Sequence, residues 1–374
     1  MKGWKDCKKI LCIRLDNMGD VIMSSPAIRA LKENFNCSIT LLTSSMGAPI
    51  AQFLTFIDRV ITFDAPWVKL NNQGGTHEFN ELVLQLKKEQ FDAAIIFTTF
   101  SQSALPAALI TYLAGIKRRM AYCRENPYAL LTDWIPDKEP YSFIQHQVQR
   151  DLNLVEKAGA TIRDDNLILK LQRDCRDQVA SKLDILGVNM SKPWIIVHTG
   201  VSEPKRRYPA DLWAEAINQI VDRFGYQVLL TGNREESKTI EEIRLNTGHH
   251  VYNTAGILSL EEFITLIKEA PLLVSVNTSA VHIAAAMGTP QVVLYALSNP
   301  QHLPWKAKGN LLLFDIPQEL RSRNEILQHT HRNHHPQDLP MVRPEDIVEA
   351  CSSLLVRKEE RIIPPMIPLQ IVEQ

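Results

Sequence analysis

Four short stretches of this chain gather side chains whose type and spacing suit acid–base and anion chemistry. The first is Arg14-Leu15-Asp16-Asn17-Met18-Gly19-Asp20. A carboxylate at Asp20, opening a helix, would sit where the macrodipole favours its ionised form, and from there it could accept a proton from an incoming hydroxyl. The same residue could simply cap that helix, and Pro26 offers a rival start with Ser25 as the cap. The second stretch, Gly200–Pro209, holds Lys205, Arg206 and Arg207 in a row, a cationic loop of the sort that receives phosphate oxygens beside exposed backbone N–H groups. The third is Gly232-Asn233-Arg234-Glu235-Glu236, where glycine permits close approach and an acid beyond it could accept from ribose hydroxyls. The fourth is Asn277-Thr278-Ser279-Ala280-Val281-His282, three capping-type residues before a run of small side chains that Gly288 ends. A helix so opened turns its first N–H groups outward as an anion site, and His282 lies one turn inside it.

These stretches need a scaffold, and the pattern supplies one. Apolar runs at Lys9–Leu15, Ser38–Thr43, Arg59–Phe63 and Asp92–Phe97 read as strands, with helices across Val21–Phe35 and Glu78–Lys88. From residue 126 to 192 the strand signal fades into what reads as a largely helical linker, with helices at Gln145–Ala158 and Cys175–Leu186. The alternation then resumes: strands at Trp194–Thr199, Gln227–Thr231, Leu272–Val276 and Gln291–Tyr295 interleave with helices at Leu212–Phe224, Glu235–Asn246, Leu260–Glu269 and Ala280–Met287. Strands separated by helix-length segments imply βαβ units and parallel sheets covered on both faces. The expected fold class is α/β, with two doubly wound domains. Ligands of such sheets bind beyond the carboxyl ends of the strands, where all four stretches fall. Arg361–Gln374, with three prolines, reads as an irregular tail.

Composition narrows the function classes. The 374 residues carry 41 Lys+Arg against 42 Asp+Glu, so no basic field argues for nucleic acid. Six scattered cysteines without a C-x-x-C pair suit reduced thiols better than a disulfide framework or a zinc site. No apolar window is long enough to span a bilayer, and Ile10–Leu15, interrupted by Arg14, reads as a core strand rather than a signal segment. A cytoplasmic protein is expected. The first turn lacks G-x-G-x-x-G, which removes the dinucleotide fingerprint of a dehydrogenase.

Taken in order, Arg14–Leu31, Lys205–Pro209, Thr231–Glu236 and Leu272–Pro290 resemble the lipopolysaccharide heptosyltransferases, glycosyltransferase family nine. The resemblance implies a GT-B fold, two Rossmann-like doubly wound parallel-sheet domains facing across a cleft. It implies an acceptor-binding domain over 1–170, a nucleotide-sugar-binding domain over 171–350 and a tail over 351–374. It also implies inverting transfer of a sugar, typically heptose from ADP-heptose, to a lipopolysaccharide-core-like or other glycan acceptor. By that resemblance Asp20 is the catalytic base, and Lys205 or Arg206 contacts the donor phosphates. Glu236 binds the nucleoside, His282 keeps its place in the last turn, and Asn277, Thr278 and Ser279 line the donor. Basic N-domain residues face an acidic acceptor, here Arg118, Arg119 and Arg124 (beside Lys117). No cofactor is called for. The absence of any D-x-D motif puts leaving-group stabilisation on Lys205, Arg206 and the helix start, without a metal. A lipid-linked acceptor would bring the enzyme to the inner face of the inner membrane as a peripheral protein.

Two departures from the family stand out. Asn277-Thr278-Ser279 replaces the usual Asp-Thr-Gly, and histidines at 329, 331, 334 and 335 occupy a segment where family members often carry cysteines; they could hold a metal or form a polar surface loop. The first departure keeps one rival reading in view, a non-catalytic GT-B module that binds nucleotide or glycan; a second rival is a sugar-nucleotide epimerase of similar two-domain shape, needing no acceptor.

Overall fold

The computed structural model describes residues 3–68, 75–336, 339–355 and 362–363. The chain divides into two compact units, Met1–Lys170 and Leu171–Gln374.

In the first unit the order is β1 (Lys9–Arg14), α1 (Met18–Phe35), β2 (Ser38–Thr43), α2 (Ala48–Ala51), β3 (Arg59–Thr62), α3 (Thr76–Glu89), β4 (Ala93–Ile96), α4 (Leu105–Leu113), β5 (Arg118–Cys123), β6 (Asp133–Pro136) and α5 (Gln147–Glu156). The six strands form one parallel sheet in the order β3-β2-β1-β4-β5-β6. Ile10, Leu11, Cys12 and Ile13 are buried whichever face they point to, because helices cover both sides. That is why β1 reads as an unbroken apolar run. Helix α1 starts at Met18, not at Pro26, which lies inside it; a capping box between Asn17 and Asp20 closes the earlier end.

In the second unit the order is α6 (Arg176–Ile185), β7 (Trp194–His198), α7 (Ala210–Phe224), β8 (Gln227–Thr231), α8 (Ser237–Leu245), β9 (Val251–Asn253), α9 (Leu260–Glu269), β10 (Leu273–Val276), α10 (Ser279–Met287), β11 (Gln291–Ala296), β12 (Gly309–Phe314), α11 (Glu325–His334) and α12 (Pro344–Leu355). Its parallel sheet runs β9-β8-β7-β10-β11-β12. Renumbered from its own first strand this is 3-2-1-4-5-6, the order of the first unit. Each sheet therefore has a topological switch point, between β1 and β4 in one and between β7 and β10 in the other.

Three expectations change. The segment 126–192 is no helical linker: β6 extends the first sheet, α5 buries Val148, Leu154 and Val155 within the first unit, and α6 is tied to α9 by Lys182 Nζ–Glu262 Oε2 at 2.7 Å. The boundary at 351 falls inside α12, whose Cys351, Ser352 and Ser353 are buried. Of the expected tail, Ile362 bridges Lys308 and Ile363 is 1% exposed in the second unit's core; residues 361 and 364–374 lie outside the described residues. All six cysteines are unbonded and buried. No helix among the described residues is long and apolar enough to cross a membrane.

Candidate active site

At the first switch point a buried arginine organises two acids. Arg14, the last residue of β1, is 0% exposed. Its Nε lies 3.2 Å from Asp16 Oδ2 and its Nη2 donates to Asp20 Oδ1 at 3.1 Å. Asp20 Oδ2 accepts from the Asn17 N–H at 3.1 Å, completing the capping box. Capping and base chemistry are compatible, because each carboxylate oxygen can accept more than one hydrogen bond. Asp16 is held from the β4 side by Gln102 Nε2 at 2.6 Å, so both edges of the switch point share the network. Below it, Asp151 is fully buried and accepts from Ser24 Oγ at 2.6 Å and Gln147 Nε2 at 2.8 Å; burial raises its pKa to about 6. Sequence reasoning missed Arg14 as a site residue. Its signal was a cation ending an apolar strand, followed by two acids.

The three basic residues expected to meet the acceptor separate by strand direction. Arg118 and Arg119 begin β5, and the register Ile10↔Ala93↔Arg118 puts them at the sheet's amino edge, opposite the edge that carries Asp20. Arg118 stacks over Trp4, at 5.9 Å from the ring centroid. The Arg119 guanidinium is buried and donates to the carbonyls of Leu130 at 2.7 Å, Ala129 at 2.8 Å and Ile116. Both therefore stand at the edge away from Asp20, contrary to the expectation that they face the acceptor there. Arg124, just past the end of β5, stays at the carboxyl edge, where Nη2 donates to the carbonyls of Phe100 (2.8 Å) and Glu139 (2.7 Å).

In the second unit, the turns after β7 and β10 flank the other switch point and touch. Lys205 and Arg206 lie in a 3-10 turn (Pro204–Arg206), each paired with Glu203 at 2.7 Å. Arg206 Nη1 also donates to the Asn277 carbonyl at 3.3 Å. Asn277 is buried, and its carboxamide reaches the next strand, accepting from the Ala296 N–H and donating to Ser298 Oγ, both at 3.4 Å. Thr278 caps α10, its hydroxyl accepting from the Ala280 N–H at 3.4 Å; Ser279 is the first helical residue and His282 is buried in the first turn. A cationic loop and a helix N-terminus thus meet at one switch point, an arrangement fitted to a diphosphate.

Glu236 stands beside it, at the carboxyl end of β8. Its Oε2 accepts from the Asn233 N–H at 2.8 Å, and the Asn233 side chain accepts from the Glu236 N–H at 2.9 Å. The carboxylate fits only because residue 200 has no side chain: a Cβ there would overlap Oε1, Oε2 and Cδ of Glu236. Gly200→Ala should therefore leave the melting curve within a few degrees and push Glu236 out of place; on the expectation, from the family resemblance, that Glu236 meets the nucleoside, the donor KM should rise about tenfold with little change in kcat. A donor KM unchanged in that variant would remove Glu236 from the donor site. His198 ends β7 nearby, with Nδ1 at 2.9 Å from Thr231 Oγ1 and its ring 5.5 Å from that of Phe263; burial lowers its pKa to about 4.

The four late histidines divide into two ring contacts, His329 with His334 at 5.8 Å and His331 with His335 at 5.6 Å. Among the described residues no group of three or more His, Cys, Asp or Glu side chains could hold a metal. Burial, with smaller contributions from His331 and His334 against Asp315, lowers the His335 pKa to about 4. A histidine kept neutral in the fold but protonated near 6.5 when unfolded gives its full stability above that pH and loses it as the pH falls towards 4. The melting temperature of His335→Gln should accordingly drop less than that of the natural protein between pH 7 and pH 5. Parallel drops would show that His335 titrates normally in the fold.

Comparison with known proteins places this geometry. Residues 80–331 match the family described as glycosyltransferase family 9 (heptosyltransferase). The lipopolysaccharide heptosyltransferase 2 of Escherichia coli K12 is 24% identical over 363 residues, covering 94% of this chain and 99% of that protein. Among solved structures, the E. coli ADP-heptose lps heptosyltransferase II superposes with a TM-score of 0.68 at 22% identity, over 94% of this chain and 99% of the other. The E. coli heptosyltransferase WaaC with ADP-2-deoxy-2-fluoro heptose gives 0.58 at 18%, over 87% and 99%. These structural likenesses speak for the fold, GT-B with its two Rossmann-like sheets. The family match decides the class of chemistry against the epimerase and non-catalytic readings. With two thirds of its length matched, the chain belongs to glycosyltransferase family 9, the heptosyltransferase family, and is a glycosyltransferase.

Proposed function

We propose that this enzyme moves a heptose from ADP-heptose to a lipopolysaccharide-core-like glycan, inverting the anomeric centre without a metal ion. The observation that carries the proposal is the contact of two turns at the β7/β10 switch point, where Arg206 bridges to Asn277 and the Lys205 loop meets the start of α10. The names of the relatives and the analogue bound to WaaC support the choice of donor.

In this reading the donor diphosphate lies against Lys205, Arg206 and the N–H groups at Thr278 and Ser279, and Glu236 takes the ribose. His282 packs beneath the phosphates. Asp20 accepts the proton of the acceptor hydroxyl as its oxygen attacks the anomeric carbon opposite the diphosphate. The bond to the diphosphate breaks in the same displacement, its electron pair leaving with ADP, and one such step inverts the centre. Preorganised cations and amides at the leaving oxygens supply several kcal/mol of transition-state stabilisation. They do so without the D-x-D motif that holds a divalent ion in many glycosyltransferases, and the sequence has none. Arg124 stands for the acceptor contacts of the first unit. The protein works on the cytoplasmic side and meets a lipid-linked acceptor as a peripheral enzyme at the inner membrane.

The test is a transfer assay with ADP-heptose and inner-core acceptor, run against UDP-, GDP- and dTDP-sugars, with the product anomer read by NMR. The proposal expects ADP-heptose to be preferred, the product inverted, and turnover equal in 10 mM-scale EDTA and in Mg²⁺. Activity abolished by EDTA and restored by Mg²⁺ would overturn the metal-free mechanism, and preference for another nucleotide would overturn the donor.

A further inference from the structure

The second unit holds a cavity of about 400 Å³ at the carboxyl edge of β11 and β12, on the far side of the switch point from Glu236. Its walls are strongly one-signed: Lys205, Arg321, Arg323 and Arg332 face it, with Glu319 the single carboxylate among its lining residues. Lys205 is paired with Glu203 Oε2 at 2.7 Å and Arg321 with Asp315 Oδ2 at 2.8 Å, whereas Arg323 and Arg332 are exposed and, among the described residues, have no carboxylate partner, so these two carry the excess charge. Like charges gathered around one hollow repel one another, and the arrangement becomes favourable when an anion enters. Leu297 and Ile316 give it an apolar wall, as sugar-sized ligands require. Ser298, also lining it, receives the hydrogen bond from Asn277, and Lys205 belongs to the phosphate loop, so the cavity adjoins the donor site through two residues.

We infer that this cavity is a second anion subsite, which binds a phosphate or carboxylate carried by the acceptor glycan. The inference rests on the donor reading of Lys205. A donor whose diphosphate lies at the switch point and whose nucleoside lies at Glu236 leaves the β11–β12 side unfilled, and a heptose carries no charge for three arginines to meet. An acidic acceptor does. Arg323 and Arg332 then select acceptors by charge while the phosphate loop selects the donor.

Calorimetry on the full chain separates the two readings. ADP is titrated into the natural protein, Lys205→Ala and the double variant Arg323→Glu/Arg332→Glu, whose positions are exposed and tolerate the change. A lipid-free inner-core oligosaccharide is titrated into the same proteins with and without ADP, either intact, phosphatase-treated or carboxyl-reduced. The subsite predicts an ADP Kd within about twofold of normal in the double variant, and intact oligosaccharide bound about tenfold or more weakly. One of the two stripped oligosaccharides should bind the natural protein as poorly, which tells phosphate from carboxylate. Equal binding of intact oligosaccharide by natural and double-variant protein overturns the subsite. So does unimpaired binding of both stripped forms, and so does a tenfold loss of ADP affinity, which would give the cavity to the donor. ADP binding untouched by Lys205→Ala defeats the donor reading alone, because the oligosaccharide titrations are read independently.

Discussion

Asp20→Asn should lower turnover by about two orders of magnitude or more while the protein folds and binds ADP as before. The amide oxygen can still accept from one of the two donors, Arg14 or the Asn17 N–H, and the amide nitrogen forfeits the other bond, a loss of about 1–3 kcal/mol that leaves α1 and the end of β1 in place. What the variant cannot do is take a proton. The losses should therefore appear in kcat, with donor KM unchanged and the circular dichroism spectrum superimposable. Turnover within about threefold of normal would reduce Asp20 to a helix cap.

Arg150→Leu should cost about 3–5 kcal/mol of stability, read from denaturant unfolding, because it strands two buried acids. Arg150 Nη1 donates to Glu139 Oε2 at 2.6 Å, Nη2 to Asp137 Oδ2 at 2.8 Å and Nε to the Thr98 carbonyl at 2.9 Å. Its side chain is 1% exposed, as is that of Glu139, and it lies 4.3 Å from the Tyr122 ring centroid. Even with Arg150 in place, burial holds the Glu139 carboxyl above its ordinary pKa, and the arginine opposes that. Without the cation Glu139 keeps its proton more tightly in the fold than in the unfolded chain. Stability of the variant should then be greatest at acid pH and fall as the pH rises, so the deficit is larger at pH 8 than at pH 5. An equal deficit at both values would show that the two acids find other partners.

The central strands were legible because burial on both faces writes an uninterrupted apolar run, as in Ile10–Ile13 and Val228–Leu230. Of the outer ones β3 was, expected at Arg59–Phe63 and found at Arg59–Thr62, and the other three were not. β6 is an edge strand of Asp-Trp-Ile-Pro with alternating exposure, and β9 has three residues, too few to show a period. β12, Gly-Asn-Leu-Leu-Leu-Phe, owes its run to leucine, which serves helix and strand alike. The turns proposed to carry the chemistry were singled out because they follow strands, and the strand ends were readable. Applied strictly, the same rule would have excluded Arg118 and Arg119: residues that open a parallel strand lie at the wrong edge. The ion-pair cluster around Arg150 left no trace, since its partners are 11, 13 and 52 residues away and no local pattern joins them. The Gly200–Glu236 fit is likewise a contact between two loops, invisible until the sheet sets them side by side.

The six buried thiols give the molecule an internal clock. Burial pushes Cys37 and Cys123 up to about 11 and Cys351 up to about 12. At neutral pH Cys37 and Cys123 are therefore held as thiols rather than the nucleophilic thiolate, and access to a reagent is blocked besides. Alkylation therefore waits for the chain to open. Cys12 and Cys37 in the first unit, and Cys351 in the second, can be followed separately by mass spectrometry, so the natural sequence reports how often each half breathes without any introduced label.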